Sequence, residues 1–171
     1  MRQSVIILFV MLILNISASY SLGAVKGGVE YTIPIDYEKI NEADFAQKAE
    51  GYYDKVMYKS LDSTEDDMSQ ALILYSALHK KCPWNIDYSI RLGNLYMKQG
   101  KYRYAKGCFY EAMGINANRP EPYYYLGDLY FKREQYRRAL KMYKRASDNG
   151  YADNIDNINK INKVKRMLGE K

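Results

Sequence analysis

Residues 86–119 read IDYSIRLGNLYMKQGKYRYAKGCFYEAMGINANR, and residues 120–153 read PEPYYYLGDLYFKREQYRRALKMYKRASDNGYAD. Laid one above the other, the two lines share a pattern at an offset of 34 residues. Leu92-Gly93-Asn94-Leu95-Tyr96 returns as Leu126-Gly127-Asp128-Leu129-Tyr130. Tyr102 and Ala105 return as Tyr136 and Ala139, and Phe109 and Ala112 as Tyr143 and Ala146. A fixed period of this length, with small and aromatic residues at set phases, marks an all-α helical solenoid. Its logic is steric. Gly93 and Gly127 remove a side chain where two helices cross, and Ala105 and Ala139 do the same from the second helix. Leu92, Leu95, Tyr96, Phe109 and their counterparts then fill the space, each burial stabilising by about 1.5 to 3 kcal/mol. Gly100 supplies a turn residue with positive φ. Glu134 takes its place one period later, where a somewhat different or less favourable turn is expected.

The order Leu-Gly, Tyr, Ala, aromatic, Ala resembles the tetratricopeptide repeat (TPR) family. The resemblance implies antiparallel helix pairs whose first helices line a concave face that takes a partner peptide. Here that face maps onto Ile90, Arg91, Asn94, Met97 and Lys98 in one repeat and onto Tyr124, Tyr125, Asp128, Phe131 and Lys132 in the next. Arg91, Asn94, Lys98, Tyr124, Tyr125, Asp128 and Lys132 are the partner-binding candidates. Asn94 stands where the family often places a polar residue that pairs with peptide backbone. The carboxylate clamp of some members needs a Lys where this chain has Ile90, so that activity is not implied.

Working upstream, Ala71, Tyr75, Leu78 and Pro83 fall one period before the clear repeats, which outlines a degenerate repeat over residues 52–85. Its first helix departs from the pattern, with Tyr58-Lys59 in place of Leu-Gly. Thr64 is expected to cap the second helix, with Asp67 three residues on. Before it, Asp36 is a candidate cap for a helix running to about Leu61, either continuous or broken near Gly51. Downstream, residues 153–168 read as a capping helix with Asp153 at its N-cap, Ile155, Ile158, Ile161, Val164 and Leu168 on one stripe, and Gly169 past its end. The helical domain thus spans 36–168, as about seven helices around one continuous core without a sheet.

The first 19 residues have the form of a secretory signal: Met1-Arg2-Gln3, an apolar run from Val5 to Leu14, then Ser17-Ala18-Ser19. Cleavage is expected between 19 and 24, leaving a flexible or extended leader over 20–35. The implied location is exported: periplasmic, cell-envelope or extracellular. The alternative is a single-pass anchor over residues 4–22, although the apolar run is shorter than the roughly 20 residues a span requires.

The formal charge is +6 and is unevenly placed, acidic from Asp36 to Asp67 and basic from Lys132 onward. Little of the chain suits catalysis. His79 is the single histidine and is expected solvated at a helix end. No Cys and His cluster has metal-ligand spacing, and no phosphate loop or nucleophile elbow is present. Neither an enzyme nor a cofactor is expected. Cys82 and Cys108 read as small buried residues in a helical core rather than a disulfide. The chain has 19 tyrosines, many at repeat core positions. Helical geometry turns Tyr124 and Tyr125 to the concave side and Tyr123 to a neighbouring helix.

These features point to a non-catalytic interaction module that binds a protein or peptide along the concave face, as a scaffold or assembly factor in the cell envelope. The alternative is polyanion or anionic-membrane recognition by a basic C-terminal region of Arg133, Arg137, Arg138, Lys141, Lys144, Arg145, Lys163 and Arg166. Export makes nucleic acid the less suitable polyanion.

Overall fold

The computed structural model describes residues 21–26, 29–34, 39, 41–59, 61 and 63–170. The signal-like segment and the Asp36 cap lie outside the described residues. The chain divides into two units, residues 1–41 and Glu42–Lys171. In the first unit, strands β1 (Ser21–Lys26) and β2 (Val29–Pro34) pair antiparallel, Ser21 opposite Pro34 and Lys26 opposite Val29. Of the flexible or extended leader expected over 20–35, the described residues are extended, and they pair with each other. The extended residues satisfy their backbone groups against each other, and Gly27-Gly28 between the two runs is a pairing of the type favoured in hairpin loops.

The second unit is all-α. Helices α1 (Glu42–Tyr58), α2 (Glu65–Lys81), α3 (Ile86–Lys98), α4 (Tyr102–Ile115), α5 (Pro120–Lys132), α6 (Tyr136–Ala146) and α7 (Ile155–Met167) follow in order. They stack as antiparallel pairs α1/α2, α3/α4 and α5/α6, with α7 against α6. Helix α1 also touches α3, and α3 touches α5, whereas α2, α4 and α6 make no contact of that extent with one another. The first helix of each pair is therefore on the tighter, inner side of the stack, and the second is on the outer side.

Helix crossing follows the glycines. An added Cβ at Gly93 would stand 2.5 Å from Phe109 Cε1, and one at Gly127 would stand 2.5 Å from Tyr143 Cδ1. Ala105 and Ala139 are fully buried beside them. The expected single core is two clusters. One runs from Ala49, Tyr53 and Tyr75 to Leu95 and Cys108, the other from Ala105 and Phe109 to Tyr143 and Val164, and Tyr96 packs against both. Both cysteines are buried and unpaired, and burial pushes the Cys108 thiol up to about 12.

Turns and caps fill in the rest. The capping box at Thr64 forms: Asp67 N donates to Thr64 Oγ1 at 3.1 Å, and Thr64 N donates to Asp67 Oδ2 at 2.8 Å. Gly100 has φ 74° and Glu134 φ 58°. The two turns also share their hydrogen bonds, Lys101 N to Tyr96 O and Gln135 N to Tyr130 O, each 2.9 Å. Glu134 therefore adopts the glycine conformation, not a different turn. Helix α1 runs unbroken through Gly51.

The last helix is rotated from the expected stripe. Its N-cap is Asn154, whose side chain accepts from Asn157 N at 2.9 Å, rather than Asp153. Asn157 and Val164 are fully buried, while Ile155 is 74% exposed and Ile158 39%. The reason is polar. The π-turn Ser147–Tyr151 leaves carbonyls and a hydroxyl at the end of α6, and Asn157 Nδ2 donates to Tyr143 O at 3.1 Å and to Ser147 Oγ at 2.8 Å. The Asn157 amide nitrogen thus satisfies acceptors at the end of α6, although its own Oδ1 is buried without a partner among the described residues.

Candidate functional site

The first helices of the pairs present two polar-aromatic clusters on the inner side. In the first, Glu50 of α1 accepts from the Tyr75 hydroxyl of α2 and from Arg91 Nη2 of α3, the latter at 2.7 Å. The Arg91 guanidinium lies 4.5 Å from the centre of the Tyr53 ring, and the Tyr53 hydroxyl accepts from Asn94 Nδ2 at 2.9 Å. Burial opposes charge on Arg91, but the Tyr53 hydroxyl and the Glu50 carboxylate hold its pKa above the ordinary value. Tyr53 and Tyr75 are pushed up, chiefly by burial, so both phenols stay protonated.

The second cluster joins α5 to α7. Asp128 accepts from Tyr143 Oη at 2.7 Å and from Lys160 Nζ at 2.7 and 2.8 Å. Lys160 Nζ is 4.0 Å from the Tyr124 ring centre and also donates to the Tyr124 hydroxyl, which in turn donates to Asp156. That bond, followed by proximity to Lys160, holds the Asp156 carboxyl below its usual value, partly opposed by burial. Tyr124 and Tyr143 are raised, first by burial and then by the carboxylates beside them.

The two clusters follow one rule. Glu50 with Tyr75 and Asp128 with Tyr143 are the same pairing of a carboxylate on the first helix with a phenol on the second. Between them, Phe109 has no hydroxyl, and Asn94 turns to Tyr53 instead. Ala49 precedes Glu50 as Gly127 precedes Asp128, so the crossing position of the first pair is Ala49. The Tyr58-Lys59 assignment is corrected. The first helix sits about ten residues further upstream than a strict period places it, and the difference is shared between a longer end of α1, a longer connection before Glu65 and a longer start of α2.

The candidate residues separate into three groups. Arg91, Asn94, Tyr124 and Asp128 are committed to contacts within the fold. Asn94 is only 3% exposed, and Ile90, placed on the groove by the resemblance, is 6% exposed. Tyr125 is half-buried, its ring stacked on Phe109 with centres 5.7 Å apart and in edge contact with Tyr124 at 5.4 Å. Lys98 and Lys132 are exposed at the ends of α3 and α5, without an ion pair among the described residues. Tyr123 is buried, its hydroxyl donating to Ala117 O at 2.9 Å. Sequence reading missed Glu50, Tyr53, Asp156 and Lys160. The first two are hidden by the register shift; Asp156 and Lys160 lie on the last helix, whose rotation from the isoleucine stripe brings them to Tyr124 and Asp128.

His79 is half-buried and 3.3 Å from Glu111 at the end of α2. Among the described residues, no group of three His, Cys, Asp or Glu side chains is placed to hold a metal ion. No described helix is long and apolar enough to cross a membrane.

Neither a protein-family model nor a curated protein matches the chain. Solved structures do. The first TPR of Spaghetti (RPAP3) bound to the HSP90 peptide SRMEEVD matches with a TM-score of 0.65 at 18% identity, over 80% of this chain and 100% of that one. The TPR2B domain of yeast Sti1, in its pHsp70 complex, matches with a TM-score of 0.62 at 14% identity, over 74% and 97%. The Yersinia enterocolitica type III secretion chaperone SycD, in complex with a peptide of the translocator YopD, matches with 0.61 at 12% identity, over 76% and 98%. The fold of the helical unit is therefore of TPR type.

Proposed function

We propose that this TPR-type solenoid is a non-catalytic module that binds a protein or peptide segment along its inner side, as a scaffold or assembly factor exported to the cell envelope. The observation that carries the reading is the inner surface itself. Stacked tyrosines, with Tyr125 half-exposed at its centre, are flanked at the helix ends by Lys98 and Lys132, which have no ion pair among the described residues. Tyr offers amphipathic contact area at little entropic cost. Support for a peptide as the ligand comes from the complexes named above, in which proteins of this fold hold peptides; the similarity bears on fold, so the ligand class is the inference. Export rests on the signal-like first 19 residues.

The structure selects the test. Replacing Asn94, Arg91 or Asp128 would disturb packing, so the informative variant is Lys98→Glu with Lys132→Glu. Proteins retained by the wild-type chain from an envelope fraction should be lost by this variant, with the far-ultraviolet circular dichroism unchanged. Equal retention by both chains would remove the groove assignment.

A further inference from the structure

Positive charge in the helical unit is sorted by helix. On the inner side and at its edge, half-buried cations have carboxylates: Arg91 pairs with Glu50, Arg119 with Asp87 and Glu121, and Lys160 with Asp128. The outer helices are different. Lys101, Arg103 and Lys106, at and on α4, have no carboxylate within ion-pair distance among the described residues. The same holds of Arg133, Arg137, Arg138, Lys141, Lys144 and Arg145, before and along α6. All but Lys106 are exposed. Acidic residues in these stretches are Glu111, which faces His79, together with Glu134 and Asp148. Uncompensated like charge works against the compact state; within the described fold these cations meet aromatic rings (Lys106 over Tyr110, Arg138 over Tyr130, Arg145 over Tyr123) but no carboxylate.

The cations form one surface across the two helices. Lys106 Nζ lies 5.4 Å from the Tyr110 ring centre, the Tyr110 and Tyr130 hydroxyl oxygens are 3.4 Å apart, and Arg138 Cζ is 5.8 Å from the Tyr130 ring centre. Toward the turns, Lys101, Arg103 and Arg133 line an open depression of about 330 Å³, and Arg137 and Arg138 line another of about 470 Å³. Set among the charges are exposed phenols, Tyr104 at 62% and Tyr110 at 46%.

We propose that the outer face of α4 and α6 docks on an anionic lipid membrane. Charge complementarity selects an anionic partner, and two features favour a membrane over a nucleic acid. Exposed tyrosines among lysines and arginines are the composition of a side chain layer at headgroup level. Both helices lie packed on their first-helix partners, α4 on α3 and α6 on α5, so neither projects to enter a groove of nucleic acid. This surface differs from the basic C-terminal region read from sequence: Lys163 leaves it, lying 4.8 Å over the Phe131 ring of α5, and the cations of α4 join it. The proposal is independent of the peptide groove, which is on the other side of the helix pairs.

The test is sedimentation of the full chain with vesicles of phosphatidylcholine alone or mixed with phosphatidylglycerol, at low and high salt. Any attachment through the apolar run is common to both lipids, so the difference between them reports the charged face. The wild-type chain should favour the anionic vesicles and lose the preference at high salt. The variant Arg103→Gln, Arg137→Gln, Lys141→Gln and Lys144→Gln should lose on the order of a hundred-fold in that preference. The variant Lys98→Gln with Lys132→Gln should behave as wild type. Equal partition of the wild type to both lipids, an unchanged fourfold variant, or tighter retention on duplex DNA than on anionic vesicles at equal salt would overturn the proposal.

Discussion

Replacement of Gly127 by alanine tests the packing that organises the fold. The new Cβ would stand 2.5 Å from Tyr143 Cδ1 and 2.9 Å from Cζ, against the ~3.5–4.0 Å of comfortable carbon contacts. The ring has nowhere to retreat. It is 1% exposed, and its hydroxyl is held 2.7 Å from Asp128, which Lys160 holds in turn. Helices α5 and α6 must separate, and overpacking of this kind costs about 3 kcal/mol. Alanine returns roughly 0.8–1 kcal/mol through its helix propensity, for a net loss of about 2 kcal/mol. In a unit of about 130 residues the melting temperature should fall by roughly 6–10 °C, measured by circular dichroism. Gly107 and Gly114 have nothing within 4 Å of an added Cβ, so Gly107→Ala or Gly114→Ala should stabilise by about 0.8–1 kcal/mol. Opposite signs for one chemical change are the content of the argument. A Gly127→Ala chain that melts at or above the wild-type temperature would refute it.

Two further outcomes follow from the turns and caps. Glu134→Gly should stabilise by about 1 kcal/mol, since φ of 58° costs a side chain that much, while Gly100→Ala should destabilise by a similar amount; urea midpoints would report both. Thr64→Ala should cost about 1 kcal/mol and flatten the acid limb of stability. The Asp67 carboxyl is held below its ordinary value first by the Thr64 backbone N–H, then by its hydroxyl, then by Lys55. A depressed folded pKa contributes stability that is complete above the unfolded value near 3.9 and fades as pH falls through the lower folded value. Acid titrations of unfolding free energy in the two chains should therefore draw closer as pH falls below about 4 by the share the Thr64 hydroxyl contributes, without meeting, because the backbone N–H stays and the cap bond from Asp67 N does not titrate; parallel curves would contradict the assignment.

Much of the fold was legible because the repeat is written in residues whose size matters. Gly93, Gly127, Ala105 and Ala139 are small where helices cross, and Phe109 and Tyr143 are large where they fill the crossing. The candidate site was less legible. The 34-residue offset holds for the second helix of every pair, so Tyr75, Phe109 and Tyr143 align, but it fails for the first helix of the first pair. With Ala49 and Glu50 out of register, nothing in the sequence could bring Tyr53 onto Asn94, and Asn94 looked like a free groove residue when it is a buried donor. The hairpin over 21–34 had a findable signal in Gly27-Gly28 between two β-rich runs.

By itself, the sequence determined a helical solenoid with a defined crossing chemistry, a capped second helix at Thr64 and a terminal helix. These are local or periodic properties, set by side-chain volume and backbone conformation within one repeat. Only the tertiary structure decided which polar groups are spent inside the fold. Arg91, Asn94 and Asp128 each find partners on helices 25 or more residues away or across a neighbouring pair, and no period encodes that distance. Charge sorting has the same cause: Lys160 is neutralised by Asp128 while Lys141 and Lys144 are not, because α7 packs on the inner side of the stack and α6 on the outer.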